Sequence, residues 1–183
     1  MSSNYLLKNI RGILKEYQES FLNRQAKDDV SNIDILMRIF NITDEMKSQN
    51  KQYWGRELGM IWQKIIVETF KTAAPQIFKP THKIGQDEPY DLQIENFAID
   101  TKYRIGSGDA GTLKKFKQYG SLLKSMGFTP LILLLRTDSL PAAITACKNG
   151  GWIILEGDAS FDFIKEKAGV DLKKILENQK FSV

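Results

Sequence analysis

Soft-ligand and redox chemistry are nearly absent from this chain. It has one cysteine, Cys147, and one histidine, His82, among 183 residues. A lone cysteine excludes an intrachain disulfide and a cysteine-based zinc site. The lone histidine, in Pro80-Thr81-His82-Lys83, reads as a surface or packing residue rather than a general base. Long apolar runs are missing as well. The longest, 130–135, has the length of a strand and falls far short of the roughly 20 residues that cross a bilayer. The N-terminus carries no apolar signal segment, so the expectation is a cytoplasmic protein with no membrane partner. Asn41-Ile42-Thr43 matches a glycosylation sequon, which in a cytosolic setting is a chance match. There are no internal repeats and no low-complexity tracts.

What remains is an ordinary globular composition, 42% hydrophobic and 26% charged, with a net charge of +4. That excess is small, but its distribution is uneven. Between Thr101 and Arg136 stand seven basic residues (Lys102, Arg104, Lys114, Lys115, Lys117, Lys124, Arg136) and one acidic residue, Asp109. A cluster of this kind is the electrostatic footprint of phosphate-backbone binding.

Hydrophobic periodicity divides the chain. Leu6, Leu7, Ile10, Ile13, Leu14, Tyr17 and Phe21 recur at helical spacing, so about the first 20 residues form an amphipathic helix. A second helix is expected from Ser31, with Asp34 completing a capping box, burying Ile33, Leu36, Ile39 and Phe40. Polar residues 43–52 then break the pattern. Residues 1–50 read as a helical extension, serving dimerisation, DNA contact or coverage of the core, and 51–183 as the main domain. An apolar helix runs from Trp54 to Lys71, and a strand-like stretch from Gln76 to Ile84. Residues 90–95 and 97–104 alternate as a hairpin turning at Glu95-Asn96. A glycine-rich loop, 106–111, a basic helix from Thr112 to Met126 and a buried strand from Pro130 to Arg136 follow. Behind them come a helix over 140–148, a strand over 152–155 and one or two terminal helices. The order α-β-β-β-α-β, then α-β-α, predicts an α/β sandwich around a mixed sheet flanked by helices. Trp54, Trp62 and Trp152 read as packing residues.

The hairpin carries the chemistry. On a strand, residues i and i+2 share a face, so Asp100 and Lys102 project together. Asp91, on the preceding strand, comes near enough to share a divalent ion with Asp100, and Gly85 and Pro89 allow the chain to turn toward the site. Mg²⁺ prefers oxygen ligands, typically one or two carboxylates, with water and substrate phosphate completing its shell. The Thr101 carbonyl offers a further oxygen. Lys102 beside such an ion can orient a water or offset transition-state charge. Arg104 and Ser107 stand where they can contact phosphate, and the glycine-rich loop permits close backbone approach. That loop is not a nucleotide P-loop, because no Gly-Lys-Ser/Thr ends it.

Pro89-Tyr90-Asp91 with Asp100-Thr101-Lys102 resembles the PD-(D/E)xK nuclease signature of type II restriction endonucleases and their relatives, with Tyr90 intervening between proline and aspartate. The resemblance covers roughly Trp54 to Arg136 and implies a restriction-endonuclease-like core. It also implies a glutamate on the preceding helix near the metal: Glu57 in Gly55-Arg56-Glu57-Leu58-Gly59 is similar, with Glu68 the alternative. From the helix after the catalytic strand it implies Lys or Gln contacts to the active site or to DNA, which falls on Lys114, Lys115, Lys117 and Gln118. The implied activity is Mg²⁺-dependent hydrolysis of duplex DNA, with Mn²⁺ substituting, by a homodimer paired functionally with a cognate DNA methyltransferase. The lone histidine argues against nuclease classes that need a catalytic histidine. Two rival readings keep the fold: a Holliday-junction resolvase-like nuclease, and a non-catalytic DNA-binding subunit.

Overall fold

A computed structural model of the chain describes residues 3–22, 33–106 and 108–181. It is an α/β protein with one five-stranded mixed sheet and helices beside it. Contacts gather into two compact units, 1–73 with 164–183 and 74–163.

The first unit is helical. Helix α1 (Ser3–Leu22) buries Leu6, Ile10, Leu14 and Tyr17, one stripe at i, i+4, i+8 and i+11, and packs on α4 (Lys51–Ala73). Helix α4 buries Trp54, Leu58, Ile61, Trp62, Ile65, Ile66 and Phe70, each side chain contributing about 1.5–3 kcal/mol on leaving water. Polar pairs fix the register of the two helices. Asn9 Nδ2 donates to Glu68 Oε1 at 2.6 Å, and Lys64 Nζ meets Glu16 Oε1 at 3.1 Å. Between them lie two short helices, α2 (Ile35–Ile39) and α3 (Asp44–Ser48).

The capping box expected from Ser31 is corrected. Asp34 is itself the N-cap, its carboxylate accepting from the N–H groups of Leu36 and Met37, so α2 starts at Ile35 and Ile33 is exposed. Ser31 lies outside the described residues. The polar stretch taken as a pattern break holds α3, capped by Thr43, whose Oγ1 accepts from Met46 N.

The second unit holds the sheet, with strands β1 (Phe78–Pro80), β2 (Leu92–Ile94), β3 (Phe97–Lys102), β4 (Thr129–Leu134) and β5 (Ile153–Glu156) in spatial order 1-2-3-4-5. The first three are antiparallel; β3, β4 and β5 run parallel. Two-residue chemistry makes the hairpin, with Glu95 at φ +52° and Leu92 facing Ile99 across the ladder. Parallel strands require crossovers. Helices α5 (Ala110–Ser125) and α6 (Pro141–Asn149) supply them, with α5 capped by Asp109 and stopped at Gly127, φ +85°. Helices α7 (Asp158–Ala168) and α8 (Leu172–Glu177) end the chain.

The expected strand from Gln76 to Ile84 shrinks to three residues, because past Pro80 the chain makes only an isolated bridge between Ile84 and Asp87. Tyr90 and Asp91 precede β2 rather than belonging to it, although Asp91 N still donates to Ile99 O at 2.7 Å. Among the described residues no helix is long and apolar enough to cross a membrane.

The core beneath α5 and α6 comprises Tyr90, Ala98, Phe116, Leu123, Ile132, Leu134, Cys147 and Trp152 among others. Its tightest point is Gly120 on α5. A Cβ there would lie 2.4 Å from Gly150 O and 2.6 Å from Trp152 Nε1, and Trp152 Nε1 donates to Phe116 O at 2.8 Å. Gly120→Ala therefore destabilises the protein by roughly 1–3 kcal/mol through overpacking. Gly55→Ala on α4, with nothing within 4 Å of the added carbon, stabilises by about 0.5–1 kcal/mol through helix propensity. Urea denaturation followed by circular dichroism measures both, and a Gly120→Ala protein as stable as wild type would refute the close approach.

Candidate active site

Strand β3 lies between an antiparallel and a parallel neighbour, so its backbone is held on both sides and its side chains stand on a fixed platform. Asp100 and Lys102 occupy the face that includes Ala98, as the i, i+2 rule requires. Lys102 Nζ donates to Asp100 Oδ1 and lies 3.4 Å from the Thr101 carbonyl oxygen. Asp100 is buried, and the Lys102 side chain is partly exposed.

Asp91 reaches the same place from the segment before β2. Its Oδ2 accepts from Thr101 N and from Thr101 Oγ1, each at 2.6 Å. It comes close enough to Asp100 for its charge to act on that carboxyl. The consequence is electrostatic. Burial pushes the Asp100 carboxyl up to about 6; the Lys102 charge pulls against that shift, and Asp91 adds to it by its charge. For Lys102, burial disfavours the ammonium, but Asp100 and then Asp91 outweigh it, and its pKa lies above the ordinary value. Cys147 on α6 lies beneath the pair, its thiol pushed up to about 12 by burial and then by Asp100.

The pair opens on a cleft of about 170 Å³ lined by Glu88, Pro89, Asp100, Lys102, Thr112, Lys115, Phe116, Tyr119 and Trp152. Helix α5 contributes residues 112, 115, 116 and 119, a single face at i, i+3, i+4 and i+7. Of the four α5 residues to which the resemblance assigns active-site or DNA contacts, Lys114, Lys117 and Gln118 lie outside the cleft lining and are exposed. Lys115 is the basic residue of α5 that lines the cleft. Tyr119, Thr112 and Glu88 were missed, although the helical spacing of the first two with Lys115 was available in the sequence. The Tyr119 phenol is raised by burial, then by hydrogen bonding to Asp87 and by its charge.

The other expected residues fall into separate groups. Glu57 and Glu68 sit on α4 in the helical unit. Glu57 is buried and forked by Arg56 at 2.9 and 3.0 Å, and Glu68 is held by Asn9 and Thr72. Arg104 is exposed, with Asp138 at 3.6 Å. Arg136, counted in the basic stretch, is buried and paired with both Asp138 oxygens at 2.7 and 3.0 Å. Ser107 lies outside the described residues. His82 is an exposed surface residue, with its Nδ1 2.6 Å from Tyr90 Oη.

Among the described residues no group of three or more His, Cys, Asp or Glu side chains gathers. The oxygens that could hold a metal are those of Asp91, Asp100 and the Thr101 carbonyl, all hard donors. Two neighbouring carboxylates are stable only with a shared proton or a cation nearby. Here an ammonium lies against Asp100 and near the Thr101 carbonyl, so these oxygens already converge on positive charge. The set fits Mg²⁺, which commonly takes one or two carboxylates.

The sign of the pH effect follows from Asp100. Its folded pKa, about 6, exceeds the ordinary 3.8. Its contribution to stability is thus complete below pH 3.8 and is lost as the pH rises through 6. In metal-free protein, carbon-detected NMR should place the Asp100 carboxyl midpoint near 6. Lys102→Met should move it higher still, because the largest charge opposing the shift is gone. A midpoint near 4, or one indifferent to Lys102, would remove this picture of the site. Comparison of the chain with models of known protein families, with curated proteins and with solved structures finds no match.

Proposed function

We propose that this protein is a Mg²⁺-dependent DNA endonuclease with a restriction-endonuclease-like core, acting as a type II restriction enzyme on duplex DNA. The observation that carries the reading is the gathering of Asp100, Lys102 and the Thr101-held Asp91 at one strand end, where Asp100 and Lys102 line a cleft walled by the basic helix α5. The element order from α4 through β4, α-β-β-β-α-β, supports the same family reading.

In this reading Asp91 and Asp100, with the Thr101 carbonyl, hold Mg²⁺ or Mn²⁺. The bound ion supplies Lewis acidity, lowering the pKa of water and offsetting phosphate charge. Lys102 keeps its proton at neutral pH, since its carboxylate neighbours favour the ammonium, and it stabilises charge that builds on the phosphate in the transition state. Lys115 orients a phosphate within the cleft. Lys114, Lys117, Gln118 and Arg104, all exposed, contact the flanking backbone. Water adds to phosphorus as the P–O3′ bond breaks, leaving 5′-phosphate and 3′-hydroxyl ends, and the departing 3′ oxygen takes up a proton. A homodimer would place two such sites on the two strands of a palindromic sequence. Host DNA would then need a cognate methyltransferase for protection.

Digestion of unmethylated plasmid in Mg²⁺ tests this directly, with synthetic four-way junctions as parallel substrates. Discrete plasmid fragments are expected. Cutting confined to junctions would replace restriction by junction resolution. Absence of any cleavage, with no Mg²⁺ or Mn²⁺ binding by calorimetry, would leave only a DNA-binding subunit.

Asp91→Ala, Asp100→Ala and Lys102→Ala should each lower cleavage by roughly 10²–10³-fold or more while retaining DNA binding in mobility-shift assays. Full activity in any of the three would end the assignment. Replacing Lys114, Lys115 and Lys117 together by Ala should weaken DNA binding irrespective of sequence. It should also flatten the salt dependence of log K by about 2–3, near 0.9 per lost phosphate contact. An unchanged slope would take α5 out of the interface.

A further inference from the structure

Thr101 stands at a buried position, 4% exposed, on the side of β3 that it shares with Phe97 and Ile99. An apolar β-branched residue would suit that place, since a buried hydroxyl is costly unless it is hydrogen-bonded. The Thr101 hydroxyl spends its bond on Asp91, donating to Oδ2 at 2.6 Å. The N–H of the same residue donates to the same oxygen at 2.6 Å. One residue thus grips one carboxylate oxygen twice, from main chain and from side chain.

The backbone at Asp91 is already immobile. Asp91 N donates to Ile99 O at 2.7 Å, and Thr81 Oγ1 donates to Tyr90 O at 2.7 Å. The Tyr90 ring, 1% exposed, is packed in the sheet core, and its hydroxyl is tied to His82. With the main chain held, the freedom left to Asp91 is rotation of its carboxylate. The paired bonds from Thr101 remove that rotation and decide which way the group faces Asp100.

We propose that the Thr101 side chain is a positioning residue for the metal site, orienting the Asp91 carboxylate through the Oγ1–Oδ2 hydrogen bond. This role is separate from the ligand role of the Thr101 carbonyl, and it rests on the reading of Asp91 as a metal ligand. Hydrogen bonds that orient a ligating carboxylate typically govern metal affinity by 10–100-fold.

The test compares full-length wild type, Thr101→Val and Thr101→Ser by Mn²⁺ titration with electron paramagnetic resonance, each checked by thermal melting. The carbonyl is present in all three. Valine keeps the shape and removes the hydroxyl, so its Mn²⁺ dissociation constant should rise by about 10–100-fold; serine, which restores the hydroxyl, should bind like wild type. Thr101→Ala serves in place of valine if the latter does not fold. Plasmid cleavage should follow the same order. A valine or alanine variant that folds and binds Mn²⁺ as wild type does would overturn the proposal, as would a serine variant as weak as valine. A wild-type protein that binds no Mn²⁺ would instead refute the metal site itself, which separates the two failures.

Discussion

Two neighbouring carboxyl groups, one of them buried, are the constraint around which the sheet unit is arranged. Left alone, Asp91 and Asp100 would repel each other, and desolvation would add to the cost. Three things hold them together: the Lys102 ammonium on Asp100, the two hydrogen bonds from Thr101 to Asp91, and a proton that Asp100 retains up to about pH 6. Each depends on β3 being straight and paired on both edges, because residues 100, 101 and 102 must alternate cleanly between the two faces. The parallel register of Asp100 with Ile132 and Lys102 with Leu134 gives that alternation an apolar partner on β4.

The same constraint accounts for Tyr90 between Pro89 and Asp91. Its ring is a core residue, tilted against Phe128 and edge-on to His82. Pro89 lines the cleft on one side of it, and Asp91 turns to Thr101 on the other. A tyrosine at that point adds a core anchor to the segment before β2, which the Asp91 N–Ile99 O bond already ties to β3. The Tyr90 ring thus has a packing reason to stand there, with His82 bonding the hydroxyl of the buried side chain. The sole histidine is tied to Tyr90.

Much of this was legible before coordinates. The stripes on α1 and α4, the hairpin turn at Glu95-Asn96 and the shared face of Asp100 and Lys102 all follow from periodicity, which local geometry enforces. Other features were not. Strand β1 is short because pairing past Pro80 depends on where the loop to β2 runs, which composition does not encode. The face that α5 presents depends on the sheet beneath it; the resemblance did not separate Lys115 from Lys114, Lys117 and Gln118, whereas packing of Phe116 on the core turns Lys115 and Tyr119 to the cleft. The approach of Asp91 to Asp100 was inferable only as proximity. That Thr101 would grip Asp91 by its hydroxyl was invisible, because threonine in a strand is ordinary on propensity alone.

The basic stretch between Thr101 and Arg136 separates into two kinds of cation once it is folded. Lys102 and Arg136 are committed: the first to Asp100 and the second, buried, to both oxygens of Asp138, whose carboxyl lies below the usual range despite burial because Arg136 and then Arg104 oppose it. Their charge is largely neutralised locally and adds little to a long-range field. Lys114, Lys115, Lys117 and Lys124 on α5 are exposed. A lysine in water keeps its counterions until a polyanion displaces them, and that release is the source of salt-dependent affinity. In the proposed nuclease the two kinds therefore divide the work, with paired cations acting on the scissile phosphate or bracing the strand ends. The solvated ones capture the duplex. A charge count along the chain merges these roles, and only the pairing of each cation tells them apart.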